Sequence, residues 1–296
     1  MTALIQGALD ALSVGSMYAL LALGLTLVFS VMNLINFAYG FLLIGAGYGV
    51  IVLTALGVDF AAAVLLVVVL VTALSLAMGF FAFKPFIGAP PSTLLITSFG
   101  VLLVVQYIAI LIFGERPRVL RAPEILNQVL HLGGLRVPVL QLVTIAIALV
   151  TLAAFYLLLS KTSFGAQLRA AAELPEVARL MGIRPNRVLM IAFAISGVLA
   201  GVVGVLWFTK IGAVTPRSDL EPTLKAFIAL VLGGLGRISG AVAGGLALGV
   251  VEVTMSSVLP SPAVPFTPAI VFAVVLFAFT RWFWHFGLRR YSGASA

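Results

Sequence analysis

The chain has 296 residues, 62% of them apolar and only 9% charged, with a net charge of +8. Soluble domains are about 45–50% apolar and about 25% charged, so this composition excludes a soluble enzyme and a disordered chain. About 20 apolar residues cross the hydrocarbon of a bilayer; roughly 184 apolar residues fill about nine such spans, and their continuous runs exclude a β-barrel, whose strands alternate.

Charges and prolines divide the spans. No charge falls between Asp10 and Asp59, which leaves room for two spans, 7–30 and 36–56, parted by the polar turn Asn33–Asn36. The first has no basic leader and no small-residue cleavage site, so it is expected to be a span rather than a signal peptide. A third span, 60–83, ends at Lys84 and Pro85. The fourth, 93–113, precedes a polar loop, 114–138, that carries four arginines. The fifth, 139–160, leads into the most polar segment, 161–187, which holds seven of the 26 charged residues. The sixth is 188–209, followed by a charged connection from Lys210 to Glu221. The apolar piece 222–236 covers only about 22 Å as a helix, too short for a straight crossing. A full span, 238–259, a Pro-rich turn, 260–268, and a last span, 267–286, complete the chain.

The expectation is therefore an all-α polytopic membrane protein in one domain, 1–296, with eight full transmembrane helices and one short or broken Gly-rich helix. If 222–236 crosses, ten of the 17 basic residues share a side with loop 161–187; if it re-enters, only six do. Lys and Arg collect in the cytoplasm, which favours a crossing with the N-terminus outside and the C-terminus inside. The positive charge is then a mark of topology and not of nucleic-acid binding.

Glycine is the next signal. Gly197/Gly201, Gly240/Gly244 and Gly245/Gly249 are spaced four apart, which places small residues on one helix face and lets backbones approach in lipid. The density at Gly233, Gly234 and Gly236 fits a broken helix, which is tolerated only against protein or a water-filled cavity. The stretch with Asn33, Asn36, Phe37, Tyr39 and Gly40 reads either as a second such break lining a path or as an interfacial turn with an aromatic anchor. Glu252 lies within a span, where a carboxylate marks a pathway or finds a partner. Glu221 and Lys225 are four apart in the favourable order for an ion pair. Asp10 reads as interfacial. There is no cysteine, and the two histidines, His131 and His285, are far apart in sequence, so no thiolate or paired-imidazole chemistry is expected.

Loop 161–187 is the most specific feature. Pro175 suits the first position of a helix, Gly182 suits its end, and Pro185 blocks continuation. Leu174, Val177, Ala178 and Met181 fall on one apolar stripe, with Glu176 off it. A short amphipathic helix of this kind docks in a partner's groove or rests on lipid.

This loop resembles the conserved cytoplasmic loop of ABC-importer permeases, in which an EAA triplet is followed three residues later by Gly; here the residues are Glu176-Val177-Ala178 and Gly182. The later Pro-containing part of that pattern is missing at Ala192–Ile195. The stretch GSMYALLALGLTLVFS with NFAYG, and KAFIALVLGGLGRISGAVAGG, resemble the amino- and carboxy-terminal signatures of branched-chain amino-acid permeases, and the H-type subunit of the leucine/isoleucine/valine system above all. Tyr39 stands where that family often has His. The resemblance implies a bacterial inner-membrane importer in which this chain pairs with a second permease subunit. Two ATPase subunits would dock on Leu174–Gly182, and a periplasmic solute-binding protein would deliver branched-chain or related amino acids. Relatives of this architecture carry urea, short amides or aromatic acids. The path would run past Asn33, Asn36, Phe37, Tyr39, Gly40, Lys225, Gly233, Gly234, Gly236 and Glu252, and the binding protein would meet Lys210, Arg217 and Asp219. No Walker A pattern is present in the sequence, so ATP and Mg²⁺ would sit on the partner subunits and this chain would carry no cofactor. A stand-alone ion-coupled secondary transporter is the competing reading, with Glu252 as coupling group.

Overall fold

A computed structural model describes residues 2–32, 36–86, 88–132, 135–173 and 175–258, together with 270 and 273. The expected span 267–286 and the turn 260–268 lie outside the described residues, those two positions apart, and so do Asn33 and Leu174. Among the described residues six helices are long and apolar enough to cross a membrane. They are α1 (Thr2–Met32), α3 (Phe60–Met78), α4 (Pro91–Phe113), α6 (Val139–Lys161), α9 (Pro185–Ile211) and α11 (Ile238–Val258). Shorter pieces are α2 (Tyr39–Ala55), α5 (Glu124–Asn127), α7 (Ser163–Glu173), α8 (Pro175–Leu180) and α10 (Leu220–Gly233). The chain is an all-α polytopic membrane protein.

The helix boundaries follow local chemistry. Asp59 caps α3 by accepting a 3.0 Å bond from the Ala61 amide, and prolines sit at the start of α4 and α9, where a missing N–H costs nothing. The third expected span is one continuous rod whose last part, Gly79–Phe83, winds as a π-helix before a 3₁₀ turn at Lys84–Phe86. The second span is shorter than the run 36–56 implies. Asn36 to Ala38 form a turn, and the helix starts only at Tyr39. Its 17 residues cover about 25 Å, and the 14 of α10 about 21 Å; neither spans about 30 Å of hydrocarbon.

α1 is the axis of the molecule. From Gly15 to Val28 it is buried, with α11, α9, α10 and α6 packed around it. The outer helices show apolar side chains to the surroundings: Ile96, Leu103, Tyr107 and Leu111 on α4, and Leu65 and Val69 on α3. Such a belt is stable only against lipid or another apolar chain.

The four-residue glycine spacings resolve into three separate helix contacts. A Cβ at Gly197 or Gly201 would lie within 3.0 Å of the α3 backbone at Thr72 or Val68. One at Gly245 or Gly249 would overlap the α1 backbone at Ala19 or Gly15, within 2.5 Å. Gly240 and Gly244 press on Gly233 and Ala229 of α10 in the same way. Backbone contact at these distances replaces the hydrophobic drive that lipid removes.

Two small sheets were not foreseen from the sequence. β2 (Val129–Leu132) and β3 (Leu135–Pro138) form an antiparallel hairpin. β1 (Arg118–Val119) pairs with β4 (Ala213–Val214). The Gln6 side chain bonds both backbone groups of Arg136, at 3.0 and 3.3 Å, so the start of α1 and the hairpin share one end of the molecule. α7 and α8 stand at the other end.

Candidate functional site

The two short helices meet at their N-termini. A Cβ on Gly40, the second residue of α2, would sit 2.1 Å from Thr223 Oγ1 and 2.9 Å from the Asp219 carbonyl oxygen. From there the helices run apart. α2 climbs to Gly47, beside Phe208 and Val214 near the hairpin end, while the turn after α10 reaches Phe29 through Gly236 at the other end. Tyr39 crosses to α1, where only the absence of a side chain at Gly24 leaves room for its hydroxyl. Phe37 stacks on Phe99 of α4, with ring centroids 4.6 Å apart, and tilts against Phe227 of α10 at 6.2 Å. Thr223 Oγ1 donates to the Asp219 carbonyl at 2.6 Å. Two helix N-termini, with their positive dipole ends, thus face one region inside the bundle.

Three side chains at this junction are polar, buried and carry unpaired atoms. Asn36 is 1% exposed, Tyr39 0% and Asp219 4%. Both side-chain polar atoms of Asn36, the Tyr39 hydroxyl and Asp219 Oδ1 have no hydrogen-bond partner. Each orphan of this kind costs about 1–3 kcal/mol, and folded proteins leave few of them.

One helical turn away lies a polar cluster built in the opposite manner. Lys225 Nζ donates to Tyr18 Oη at 2.8 Å, to Glu252 Oε1 at 2.9 Å and to Glu221 Oε1 at 2.9 Å. Tyr18 Oη donates in turn to Glu252 Oε2 at 2.6 Å. The ammonium also lies 5.4 Å from the Trp207 ring centroid. Three N–H donors meet three acceptors, and the cluster fastens α10 to α1 and α11. Glu252, read from the sequence as pathway carboxylate or paired group, is paired. Tyr18 and Trp207 were not foreseen from the sequence. The signal for Tyr18 lay in its position on the face of α1 that carries Gly15.

The expected path residues divide accordingly. Asn36, Phe37, Tyr39 and Gly40 come together at the junction with Asp219 and Thr223. Lys225 and Glu252 form the satisfied cluster. Gly233 is needed where its backbone abuts Gly240, and Gly236 lies beside Phe29 and offers its carbonyl to Ser30 at 3.4 Å.

The residues expected to meet a binding protein do not share one surface. Arg217 is exposed and pairs with Glu115 at 3.4 Å. Lys210 lines a cavity at the hairpin end. Asp219 is buried at the junction, and no soluble partner can reach it in this conformation.

The polar loop folds as a helical pair. α7, unforeseen because its apolar residues are mostly alanine, is anchored by Arg169, which donates to the Leu159 carbonyl at the end of α6, 2.9 Å away. α8 ends as the sequence predicts. Gly182 has φ +83°, its N–H bonds the Arg179 carbonyl and that of Ile183 bonds Ala178, both at 3.0 Å. This is the Schellman arrangement. The outward apolar set differs from the expected stripe. Val177 and Met181 are exposed, but Ala178 is buried and lines a cavity with Val31 and Met32 of α1. Leu180, 88% exposed, takes its place, because α8 packs on α7 with its Ala178 side turned inward.

Comparison with known proteins follows this geometry. The family described as branched-chain amino acid transport system / permease component matches residues 7–280. The chain is 30% identical over 262 residues to the high-affinity branched-chain amino acid transport system permease protein BraD of Pseudomonas aeruginosa, covering 84% of this chain and 85% of that protein. It is 30% identical over 269 residues to the permease LivH of Escherichia coli, covering 86% and 87%. The probable permease LivH of Methanocaldococcus jannaschii is 31% identical over 263 residues, covering 83% and 79%. No solved structure matches the chain. The chain therefore belongs to the family of permease components of branched-chain amino acid transport systems.

Proposed function

We propose that this chain forms half of the path of an ATP-driven importer for branched-chain amino acids in a bacterial inner membrane. A second permease subunit supplies the other half, two ATPase subunits dock on the exposed side chains of Val177, Leu180 and Met181, and a periplasmic binding protein delivers the solute at the hairpin end. The N-terminus of the chain lies outside. The observation that carries this reading is the junction of α2 and α10, where two half-helix N-termini share a buried region with the partnerless atoms of Asn36, Tyr39 and Asp219. Broken helices with free N–H groups and polar side chains are how membrane proteins hold a carboxylate-bearing solute away from water. In the conformation described the junction is closed, and an opening at this point would supply the orphaned atoms with water or solute.

The test is reconstitution. The chain is assembled with its second permease and ATPases in proteoliposomes, its binding protein is added, and uptake of labelled leucine, urea, a short amide and phenylalanine is measured with and without ATP. ATP-dependent uptake of leucine above the other three is expected. Uptake without ATP driven by an ion gradient, or preference for another solute, overturns the reading. Val177→Asp is expected to release the ATPases in detergent and to abolish uptake.

A further inference from the structure

A cavity of about 330 Å³ opens at the hairpin end between α1, α6 and the last turn of α9. That volume falls in the range of small-molecule sites, about 300–1,000 Å³. Its wall holds one carboxylate, Asp10, and one ammonium, Lys210. Among the described residues no ion pair within 4.0 Å joins the two. Opposite charges that line one small cavity without touching are unusual, since each attracts the other and gains by closing the gap.

The structure holds Asp10 where it is. Gln141, 8% exposed, donates to Asp10 Oδ1 at 2.9 Å, which ties the carboxylate to α6 while Asp10 lines the cavity. Ser13, one turn further along α1 and 4% exposed, adds a hydroxyl to the same wall. Lys210 is exposed and lines the same cavity. The rest of the lining is Val14, Pro138, Leu140 and Thr144, and the Thr144 hydroxyl donates to the Leu140 carbonyl at 2.7 Å.

We infer that this cavity is a receiving site for a zwitterionic α-amino acid with an aliphatic side chain. The Asp10 carboxylate and the Ser13 hydroxyl take the α-ammonium, Lys210 takes the α-carboxylate, and Val14 and Leu140 cover the side chain. Asp10 and Lys210 line one cavity and make no ion pair with each other, so each charge is open to one end of a zwitterion. The inference takes its ligand class from the amino-acid importer reading above, but it adds that the permease itself discriminates, before the solute reaches the junction.

The experiment uses the assembled transporter in lipid nanodiscs without binding protein, and the same assembly in proteoliposomes with it. Binding of leucine is compared with 3-methylbutylamine, which lacks the carboxylate, and 4-methylpentanoate, which lacks the ammonium. Each singly charged analogue is expected to bind about 10- to 100-fold more weakly, the range for losing one charge-assisted contact. Asp10→Asn should erase the penalty on 4-methylpentanoate and keep that on the amine, and Lys210→Met should do the reverse. Both should raise the KM for leucine uptake. If either variant fails to assemble, Leu140→Trp fills the cavity from its apolar wall and should raise the KM alone. Wild-type transporter that carries leucine, with all three variants binding and transporting it normally, overturns the cavity assignment and leaves the importer reading intact. Wild-type transporter that carries no amino acid overturns both.

Discussion

Two buried polar regions lie a helical turn apart in this bundle, and they are finished differently. Around Lys225 every donor has an acceptor, from Tyr18, Glu221 and Glu252. Around Asn36, Tyr39 and Asp219 several polar atoms have none. Lys225, Asn36, Tyr39 and Asp219 are all buried, so at each of them an unpaired group is costly. A cluster that closes on itself is a staple, since its geometry is complete without a ligand. A junction that leaves its atoms open has the geometry that the proposed solute path requires. The contrast teaches which intramembrane polar residues to assign to stability and which to function, and substitution can break or sharpen it.

The largest effect belongs to Lys225→Met. It leaves Glu252, whose side chain is 18% exposed, as a carboxylate without its cation, beside Tyr18 and Trp207. Breaking one half of a buried pair costs about 3–5 kcal/mol. A clear fall in the midpoint of thermal unfolding in detergent is expected, largely restored in the double variant Lys225→Met with Glu252→Gln. An unchanged midpoint in the single variant breaks the staple reading. Tyr18→Phe is the milder form of the same test. It takes one acceptor from Lys225 and one donor from Glu252, and about 2 kcal/mol is expected by the same measurement.

At the junction the sign reverses. Asn36→Leu and Tyr39→Phe remove polar atoms that make no bond, so stability should hold or rise by about 1 kcal/mol, while leucine uptake by the assembled transporter falls. Loss of stability as large as at Tyr18 would show that the orphaned atoms are bonded after all. Unchanged uptake would take the junction out of the path.

How far the sequence reaches differs between these regions. The spans were legible because hydropathy over about 20 residues depends on composition and not on neighbours, and the Gly182 stop was legible because its chemistry is local. The partner of Glu252 was harder to see. Gly233 packs on Gly240 and Ala229 on Gly244, and that register puts Lys225 opposite Leu248, one turn short of Glu252, so the pair follows from the packing of α10 on α11 and not from the four-residue rule that finds Glu221. The pairing of β1 with β4 joins segments almost a hundred residues apart and carries no local mark. The fit of Tyr39 against Gly24 at the start of α2 is a contact between helices that periodicity does not contain. Ala178 and Leu180 exchange roles on α8 for the same reason, since the body against which α8 packs is outside its own pattern.

The smallest effect on stability should come from Arg217→Glu. The Arg217–Glu115 pair at 3.4 Å has side chains 71% and 70% exposed, and pairs of that kind contribute about 0–1 kcal/mol. It bridges the connection before α10 and the loop after α4, at the end that also carries Arg116, Arg118, Arg121 and Arg136. A basic face there fits a binding protein that presents carboxylates, and charge of this kind acts on encounter more than on lifetime. The expected result is an unchanged unfolding midpoint together with weaker docking of the binding protein at low salt. The difference should shrink as salt cuts the screening length from about 10 Å at 0.1 M to about 3 Å at 1 M. A stability loss comparable to that of Lys225→Met would erase the distinction between an exposed pair and the buried staple. Docking affinity unaltered at low salt would remove Arg217 from the receiving face, and with it the argument that this end of the molecule meets the binding protein through charge.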